Sequence, residues 1–125
     1  MQLGPFKLKL QFACGDGYAL GPGKADLLDA IHHDGSISAA GRTLGMSYRR
    51  AWLLVDEMNR CFDERVVETA PGGGRKGGAR LTDVGLAILA DYRELERAAA
   101  ELAAHPAHDR LTARLLDWPT TPRQG

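Results

Sequence analysis

The sequence predicts a mainly α-helical domain with a small β-sheet (α+β), built as a winged helix-turn-helix that ends in a long C-terminal helix. Three observations predict this fold. Two short helical segments within residues 35–62 are joined by the tight turn 44–46. Two β-prone runs flank a basic, glycine-rich segment at 70–78. Helical spacing of apolar residues then continues over about 82–104.

Length and composition bound the class of protein. A chain of 125 residues with 44% hydrophobic and 26% charged residues suits one folded domain. Cys14 and Cys61 form no CxxC pair, which disfavours a disulfide scaffold. No apolar stretch reaches the roughly 18 to 20 residues of a membrane helix, and the alternating N-terminus is unlike a signal peptide. We therefore expect a cytoplasmic protein with no membrane partner.

The net charge of zero conceals an uneven distribution. Residues 35–55 contain three basic residues and no acid, and residues 69–82 again contain three basic residues and no acid. These six cations are Arg42, Arg49, Arg50, Arg75, Lys76 and Arg80. From residue 81 onward, seven acids against five arginines give a balance of −2. Two basic islands favour a polyanionic partner, because cations placed on phosphates supply much of the affinity for DNA.

The first third of the chain predicts one strand and one helix. The segment FKLKLQF (6–12) alternates apolar and polar residues, which is typical of a half-buried strand. A glycine-rich connection follows, and Leu27, Leu28 and Ile31 then share one face of a helix over 24–33. Gly35 is expected just past the end of that helix.

Residues 35–62 predict the helix-turn-helix. Ser38 or Ser36 can cap the first helix, which Gly45 ends, and Ser47 can cap the second by accepting a first-turn N–H. Gly41 is the small residue expected where the two helices cross. Spacings of four, three and four residues define the buried stripe of the second helix, Ala51, Val55, Met58 and Phe62. The further residues that we expect in the core are Leu44, Met46, Trp52 and Leu54.

A hairpin and a long helix follow. The runs VVET (66–69) and ARLT (79–82) predict the two strands of a wing. Five of the ten residues over 71–80 are glycine, so we expect a mobile wing tip. In the long helix, apolar residues step alternately by four and three, as in a coiled-coil seam. Because the domain offers little surface to cover that seam, we expect a homodimer. The seam consists of Leu81, Gly85, Ile88, Tyr92, Leu95, Ala99 and Leu102, and its dimerisation residues are expected from Ile88 onward. Residues 105–125 predict a short helix and a flexible tail outside the domain at 1–104.

Several of these segments resemble a known family. SYRRAWLLVDEMN (47–59) and PGGGRKGGARLT (71–82), with the less specific GSISAAG and LTDVG that LysR-type regulators also carry, are similar to ModE-type molybdate-responsive transcription regulators. The resemblance covers the DNA-binding domain of that family, at about residues 6–104. It implies a winged helix-turn-helix that dimerises through its long helix and binds operator DNA near molybdenum-related genes. Family members continue into a molybdate-binding Mop or TOBE module, for which residues 105–125 are too few. We therefore expect a chain without its own sensing module and regard a separate molybdate-sensing protein as a candidate partner.

In this interpretation the second helix enters the major groove of double-stranded DNA with its first turn. An arginine there can pair with guanine, while hydroxyls and first-turn amides suit phosphates. The candidate residues of this turn are Ser47, Tyr48, Arg49 and Arg50. The first helix and the wing add Ser38, Arg42, Arg75, Lys76 and Arg80. Whether the wing follows the backbone or enters the minor groove is left open by the sequence.

Catalysis and cofactor binding are not expected. GPGK at 21–24 lacks the GxxxxGK[ST] spacing of a phosphate loop and is interpreted as a helix-opening turn. His32 and His33 diverge by about 100° on a helix, which suits no shared metal. We expect no enzyme activity, no cofactor and no metal. A second hypothesis keeps the winged fold but makes it a protein-interaction module, in which the long helix and the Trp118 tail dock a larger partner.

Overall fold

The computed structural model describes residues 1–70 and 78–122 of the chain. Within these residues the helices are α1 (Pro22–Asp34), α2 (Ile37–Thr43), α3 (Tyr48–Cys61), α4 (Asp83–Ala100) and α5 (Pro106–Thr112). A single 3-10 turn in this part of the chain, Glu101–Ala104, joins α4 to α5. The strands are β1 (Gln2–Leu3), β2 (Phe6–Lys7), β3 (Phe12–Cys14), β4 (Gly17–Leu20), β5 (Val67–Thr69) and β6 (Ala79–Leu81). They pair in sequence order as three antiparallel hairpins.

The N-terminal strand differs from its prediction. Instead of one strand over 6–12, the chain forms the β1–β2 and β3–β4 hairpins, which turn at Gly4 and Gly15 with φ of 58° and 59°. A strand persists only where a neighbour supplies ladder hydrogen bonds, and residues 8–11 lie between the two hairpins. The alternation still marks burial as far as residue 11. Phe12 is exposed, contrary to the pattern.

The helix ends follow the predicted capping residues. Gly35 takes the left-handed conformation at the end of α1, with φ of 77°. Ser36, rather than Ser38, caps α2 by accepting from Ala39 N at 3.0 Å. Ser47 caps α3 by accepting from Arg50 N at 3.1 Å. These side-chain acceptors satisfy first-turn N–H groups and fix where each helix begins.

The core lies between α1, the α2–α3 pair, the β5–β6 hairpin and one face of α4. Its largest fully buried side chains are Leu27, Leu28, Ile31, Met58, Val66, Val67 and Tyr92. Ala51, Val55 and Met58 are buried as the stripe of α3 predicts, with Phe62 partly buried at its end. Met46 and Leu54 pack against the core as expected. Leu44, the C-cap residue of α2, is in contrast exposed, so its assignment to the core is wrong.

The helix α4 packs on its own domain more closely than the sequence predicts. Gly85 lies against the backbone of Val66, where an added Cβ would come within 2.0 Å of the carbonyl oxygen. Tyr92 is 1% exposed, and its hydroxyl donates to the Leu10 carbonyl at 2.8 Å. Its assignment to a dimer interface is therefore wrong. The physical reason is that the N-terminal segment, which was predicted as a half-buried strand without an assigned neighbour, covers this face of the helix.

An ion-pair cluster fixes α4 to α1. Arg93 donates to Asp26 at 2.9 Å, to Asp29 and to Glu96 at 2.7 Å. Although partial burial alone lowers the pKa of Arg93, the hydrogen bonds to these three carboxylates outweigh it and raise that pKa. The cluster contributes orientation more than stability, because half-exposed pairs are screened by solvent.

Candidate nucleic-acid interface

The helix-turn-helix is held together at a glycine. The Cβ of any larger residue at Gly41 would lie 3.2 Å from the Met46 carbonyl oxygen and 3.5 Å from the Ala51 Cβ. Met46 N in turn donates to the Gly41 carbonyl at 2.9 Å. This close crossing confirms the position predicted for Gly41 and sets the angle at which α3 leaves the turn.

The first turn of α3 stands out into solvent. Ser47, Tyr48, Arg49 and Arg50 are all exposed, with Tyr48 at 58%. The Ser47 oxygen is occupied as the cap, but its hydroxyl hydrogen remains available to an acceptor. Free first-turn N–H groups and two guanidinium groups thus meet at one helix end, which is an arrangement suited to anions. The structure brings these four predicted residues together.

The acids of α3 are paired away from that end. Asp56 accepts from Arg60 at 3.0 Å one turn further along. Glu57 pairs with Lys24, a buried lysine of α1 that also donates to the Tyr18 carbonyl. Within the described part of the chain, neither Arg49 nor Arg50 has an acidic partner in salt-bridge distance, so the first turn keeps its positive charge.

The contacts of Lys24 also show which interpretation of the GPGK segment is correct. Pro22 is the first residue of α1. The Lys24 ammonium group donates hydrogen bonds to Glu57 and to the Tyr18 carbonyl. The segment is the predicted helix-opening turn. A buried lysine that ties α1, β4 and α3 together was missed from the sequence, because one positive residue in a glycine-rich stretch carries no signal of its partner.

Helix α2 supplies the neighbouring charge. Arg42 is exposed and donates from Nη1 to the Ser38 hydroxyl at 2.9 Å. The two residues are four apart and therefore share one helix face. We call the exposed turn 47–50 together with Ser38 and Arg42 the basic surface.

Hydrogen bonds hold the β5–β6 hairpin, the wing, against α3 and against the segment that precedes α2. Ala79 N donates to the Gly35 carbonyl at 2.9 Å, which fixes β6 beside the start of α2. Asn59 of α3 accepts from Val66 N at 2.8 Å and from Val67 N at 3.1 Å, and donates to the Val67 carbonyl at 3.0 Å. Asn59 is the positioning residue of this site that sequence reasoning missed, although it lies within the family-like segment 47–59.

Of the predicted wing cations, Arg80 is described by the structure, whereas Arg75 and Lys76 lie outside the described residues. Arg80 is exposed and pairs across the hairpin with Glu68 at 2.6 Å. A carboxylate so close offsets much of the guanidinium charge. The predicted strands themselves are confirmed at 67–69 and 79–81.

Trp52 and Leu53 are exposed on α3, at 46% and 48%. The assignment of Trp52 to the core is wrong. Trp52 lies about 100° around the helix from the buried stripe. It lines a cavity of about 80 Å³ together with Ile37 and Thr69. The side chain thus lies at a cavity between α3 and β5, with nearly half of its surface in solvent.

The described residues offer few other groups suited to redox chemistry or metal binding. Cys14 and Cys61 are both free, and a hydrogen bond with Cys14 raises the pKa of the Cys61 thiol, which favours its unreactive form. Over 1–70 and 78–122, no three His, Cys, Asp or Glu side chains gather as metal ligands would. No helix in the same ranges has the length and apolar character needed to cross a bilayer.

The fold and this surface define the class of the protein, an α+β domain of winged helix-turn-helix type. Among solved structures, the CbnR_DBD–DNA complex is similar to this chain with a TM-score of 0.54 and 21% identity, over 73% of this chain and 95% of that one. At that identity the likeness concerns the fold alone, and it confirms the predicted fold class.

The predicted family resemblance is confirmed by curated relatives. The molybdenum transport protein ModE of Azotobacter vinelandii is 40% identical over 79% of this chain and 35% of its own length. The DNA-binding transcriptional dual regulator ModE of Escherichia coli (strain K12) is 39% identical over 57% of this chain and 27% of its own. This chain thus spans about a third or less of the length of these relatives. The matched part of this chain is the part that contains the helix-turn-helix. No family model matches the chain.

Proposed function

We propose that this chain is a sequence-specific, DNA-binding transcription regulator of ModE type that acts as a homodimer on near-palindromic operators of molybdenum-related genes. The observation that carries the proposal is the first turn of α3. There Arg49 and Arg50 are exposed at a capped helix N-terminus, while Asp56 and Glu57 are neutralised by Arg60 and Lys24. Such a turn suits base edges in the major groove and phosphates beside it.

Two roles follow for the basic surface. Arg50 is a candidate for bidentate pairing with guanine O6 and N7, worth about 1–3 kcal/mol of discrimination. Ser47, Tyr48, Ser38 and Arg42 would bind phosphate oxygens on either side. The wing, held to α2 and α3 through Ala79 and Asn59, would extend the contact with Arg75, Lys76 and Arg80.

The experiment compares substitutions in these two groups. Binding sites would be selected from a randomised duplex pool, and affinities for a selected and a random duplex measured by fluorescence anisotropy. Arg50→Ala should weaken the selected duplex more than the random one, whereas Lys76→Ala should weaken both alike. Arg110→Ala, an exposed arginine of α5, is the matched control and should change neither. Equal losses on both duplexes for Arg50→Ala would refute the recognition role.

A homodimer through the second half of α4 and the 3-10 turn that follows it is part of the proposal. Leu95 is 46% exposed, Leu102 is also exposed and Ala99 is partly so. The first half of the seam is used within the protomer, which leaves these three residues for a second copy. A two-fold dimer would bind half-sites one helical turn, about 34–36 Å, or a multiple of it apart. Leu95→Glu should yield monomers in sedimentation analysis, and an unchanged dimer would place the interface elsewhere.

The molybdenum link rests on the similarity of this chain to the ModE relatives. Genome-wide footprinting of the purified protein would test it, with protected sites expected upstream of molybdate-transport or molybdenum-cofactor genes. Protected sites that avoid such genes would retain DNA binding but refute this part.

A protein-interaction module is the second candidate, and one observation favours it. The C-terminal residues Leu111, Leu116 and Trp118 are exposed, Trp118 at 82%, which gives a partner apolar surface to cover. Retention on heparin at moderate salt together with duplex binding would favour the DNA-binding proposal. A protein that binds neither would favour the interaction module.

A further inference from the structure

Leu53 is an apolar residue on the face of α3 that also carries Arg49, Asp56 and Arg60. It lies four residues after Arg49 and therefore on the same helix face, about 6 Å further along the axis. Nearly half of its surface is in solvent. A complex that covers this side chain would remove apolar area from water, which favours binding.

Packing inside the protomer does not account for Leu53. The core stripe of the same helix is Ala51, Val55 and Met58, all buried. Leu53 is two residues from both Ala51 and Val55 and hence about 160° around the helix from each. Its neighbour Trp52 leans toward the wing, beside the cavity shared with Ile37 and Thr69. Leu53 has no corresponding place to fold back to.

The charges around Leu53 indicate what covers it. Arg49 precedes it on the same face without an acidic partner among the described residues. Asp56, the acid beside this face, is already bound by Arg60 at 3.0 Å. The partner must therefore be anionic and also offer an apolar group close to its charges. In the major groove of DNA, the 5-methyl group of thymine is that apolar group, and it lies between two phosphate backbones.

We propose that Leu53 is a specificity-determining residue that contacts the 5-methyl group of a thymine, within about two base pairs of the point at which Arg49 meets the DNA. The distance follows from the 6 Å between the two residues and the 3.4 Å spacing of bases along a strand. The inference rests on the proposed function and adds a base preference to it. Arginine would select guanine by hydrogen bonds, and Leu53 would select thymine by burial of a methyl group.

The experiment removes the methyl group and the leucine separately. In a duplex selected by the wild-type protein, each thymine is replaced in turn by uracil, and each Kd is measured by fluorescence anisotropy for the wild type, Leu53→Ala and Leu116→Ala. Leu116 is an exposed leucine outside the helices, so it controls for the loss of an exposed leucine elsewhere. Circular dichroism verifies that the variants are folded, and the uracil series on the wild type needs no variant at all.

The expected result is a position-specific loss. At one thymine per half-site, uracil should weaken wild-type binding about fourfold, the effect of leaving one methyl group out of an apolar contact. Leu53→Ala should not distinguish thymine from uracil there, and Leu116→Ala should behave as the wild type. If the wild type tolerates uracil everywhere, or if Leu53→Ala retains the fourfold loss, the proposal is overturned while DNA binding stands. If the wild type binds no duplex, both this proposal and the proposed function fail, and a protein surface becomes the partner of Leu53.

Discussion

Replacing Gly85 with alanine should destabilise the domain, although alanine is the better helix former. A Cβ at this position of α4 would lie 2.0 Å from the Val66 carbonyl oxygen and 2.9 Å from its carbonyl carbon. The obstacle is backbone, so no rotamer change relieves it, and α4 must move by about 1 Å to restore an ordinary contact of 3 Å or more. Overpacking of this kind costs about 1–3 kcal/mol, which exceeds the ~0.4–1 kcal/mol that alanine gains over glycine. Because the two effects oppose each other, we expect a net loss of about 1 kcal/mol.

The matched control is the same substitution in α1. Gly23 has no atom within 4 Å of its would-be Cβ, so Gly23→Ala should stabilise by up to ~1 kcal/mol. Urea denaturation followed by circular dichroism measures both free energies of unfolding. A loss of about 1 kcal/mol corresponds to a fall in Tm of roughly 3–6 °C for a domain of this size. A Gly85→Ala protein at least as stable as the wild type would mean that α4 does not rest on the backbone before β5, and the packing described here would be wrong.

Four further substitutions test the ion pairs and the buried hydroxyl. Glu68→Gln should release Arg80 from its 2.6 Å pair and tighten duplex binding several-fold, and weaker binding would contradict a phosphate role for Arg80. Tyr92→Phe should cost about 1 kcal/mol at pH 7 through loss of the hydrogen bond to the backbone. Because burial raises the pKa of Tyr92 above 10, the neutral hydroxyl stabilises the fold below that pH. This stability is lost as pH rises through the raised pKa, so wild type and variant should converge in alkaline denaturation, and a gap that widens would be inconsistent with this. Lys24→Met should destabilise by about 1–3 kcal/mol because Glu57 loses its partner, whereas Glu57→Gln, which keeps an acceptor for the ammonium, should cost less. The reverse order in thermal denaturation would show that the pair is not what joins α1 to α3.

The helix-turn-helix could be predicted because its signals are local. Capping by Ser47 and the small residue at Gly41 act within a few positions of the chain, where spacing alone fixes geometry. The β5–β6 hairpin could also be predicted from the sequence, since two β-prone runs around a glycine-rich segment favour a hairpin over other structures.

Predictions that depended on distant segments were less reliable. The seam of α4 is periodic throughout, but periodicity does not say which part of a stripe another segment covers. Here Tyr92 is covered by the N-terminal segment through the Leu10 carbonyl, at a sequence separation of 82 residues. For the same reason Asn59, which acts on residues after its own helix, carried no recognisable signal.

Trp52 and Leu53 show where composition misleads. Large apolar side chains are buried often enough that core is the default assignment for Trp52. The helical angle placed both residues off the buried stripe, and the structure follows the angle. At a surface that binds a partner, the exposed apolar residue is informative because it departs from the default.

The dependence of duplex affinity on salt tests most directly whether the basic surface and the wing meet DNA. If each protomer neutralises three or four phosphates, log K of the dimer should fall with log[salt] at a slope of roughly −5 to −7. The double variant Arg42→Gln, Lys76→Gln should make that slope less negative by about 3 to 4, since it removes two phosphate-directed charges from each protomer and four from the dimer. Anisotropy titrations between about 50 and 400 mM salt measure both slopes. A wild-type slope near zero, or a slope unchanged in the double variant, would contradict the account.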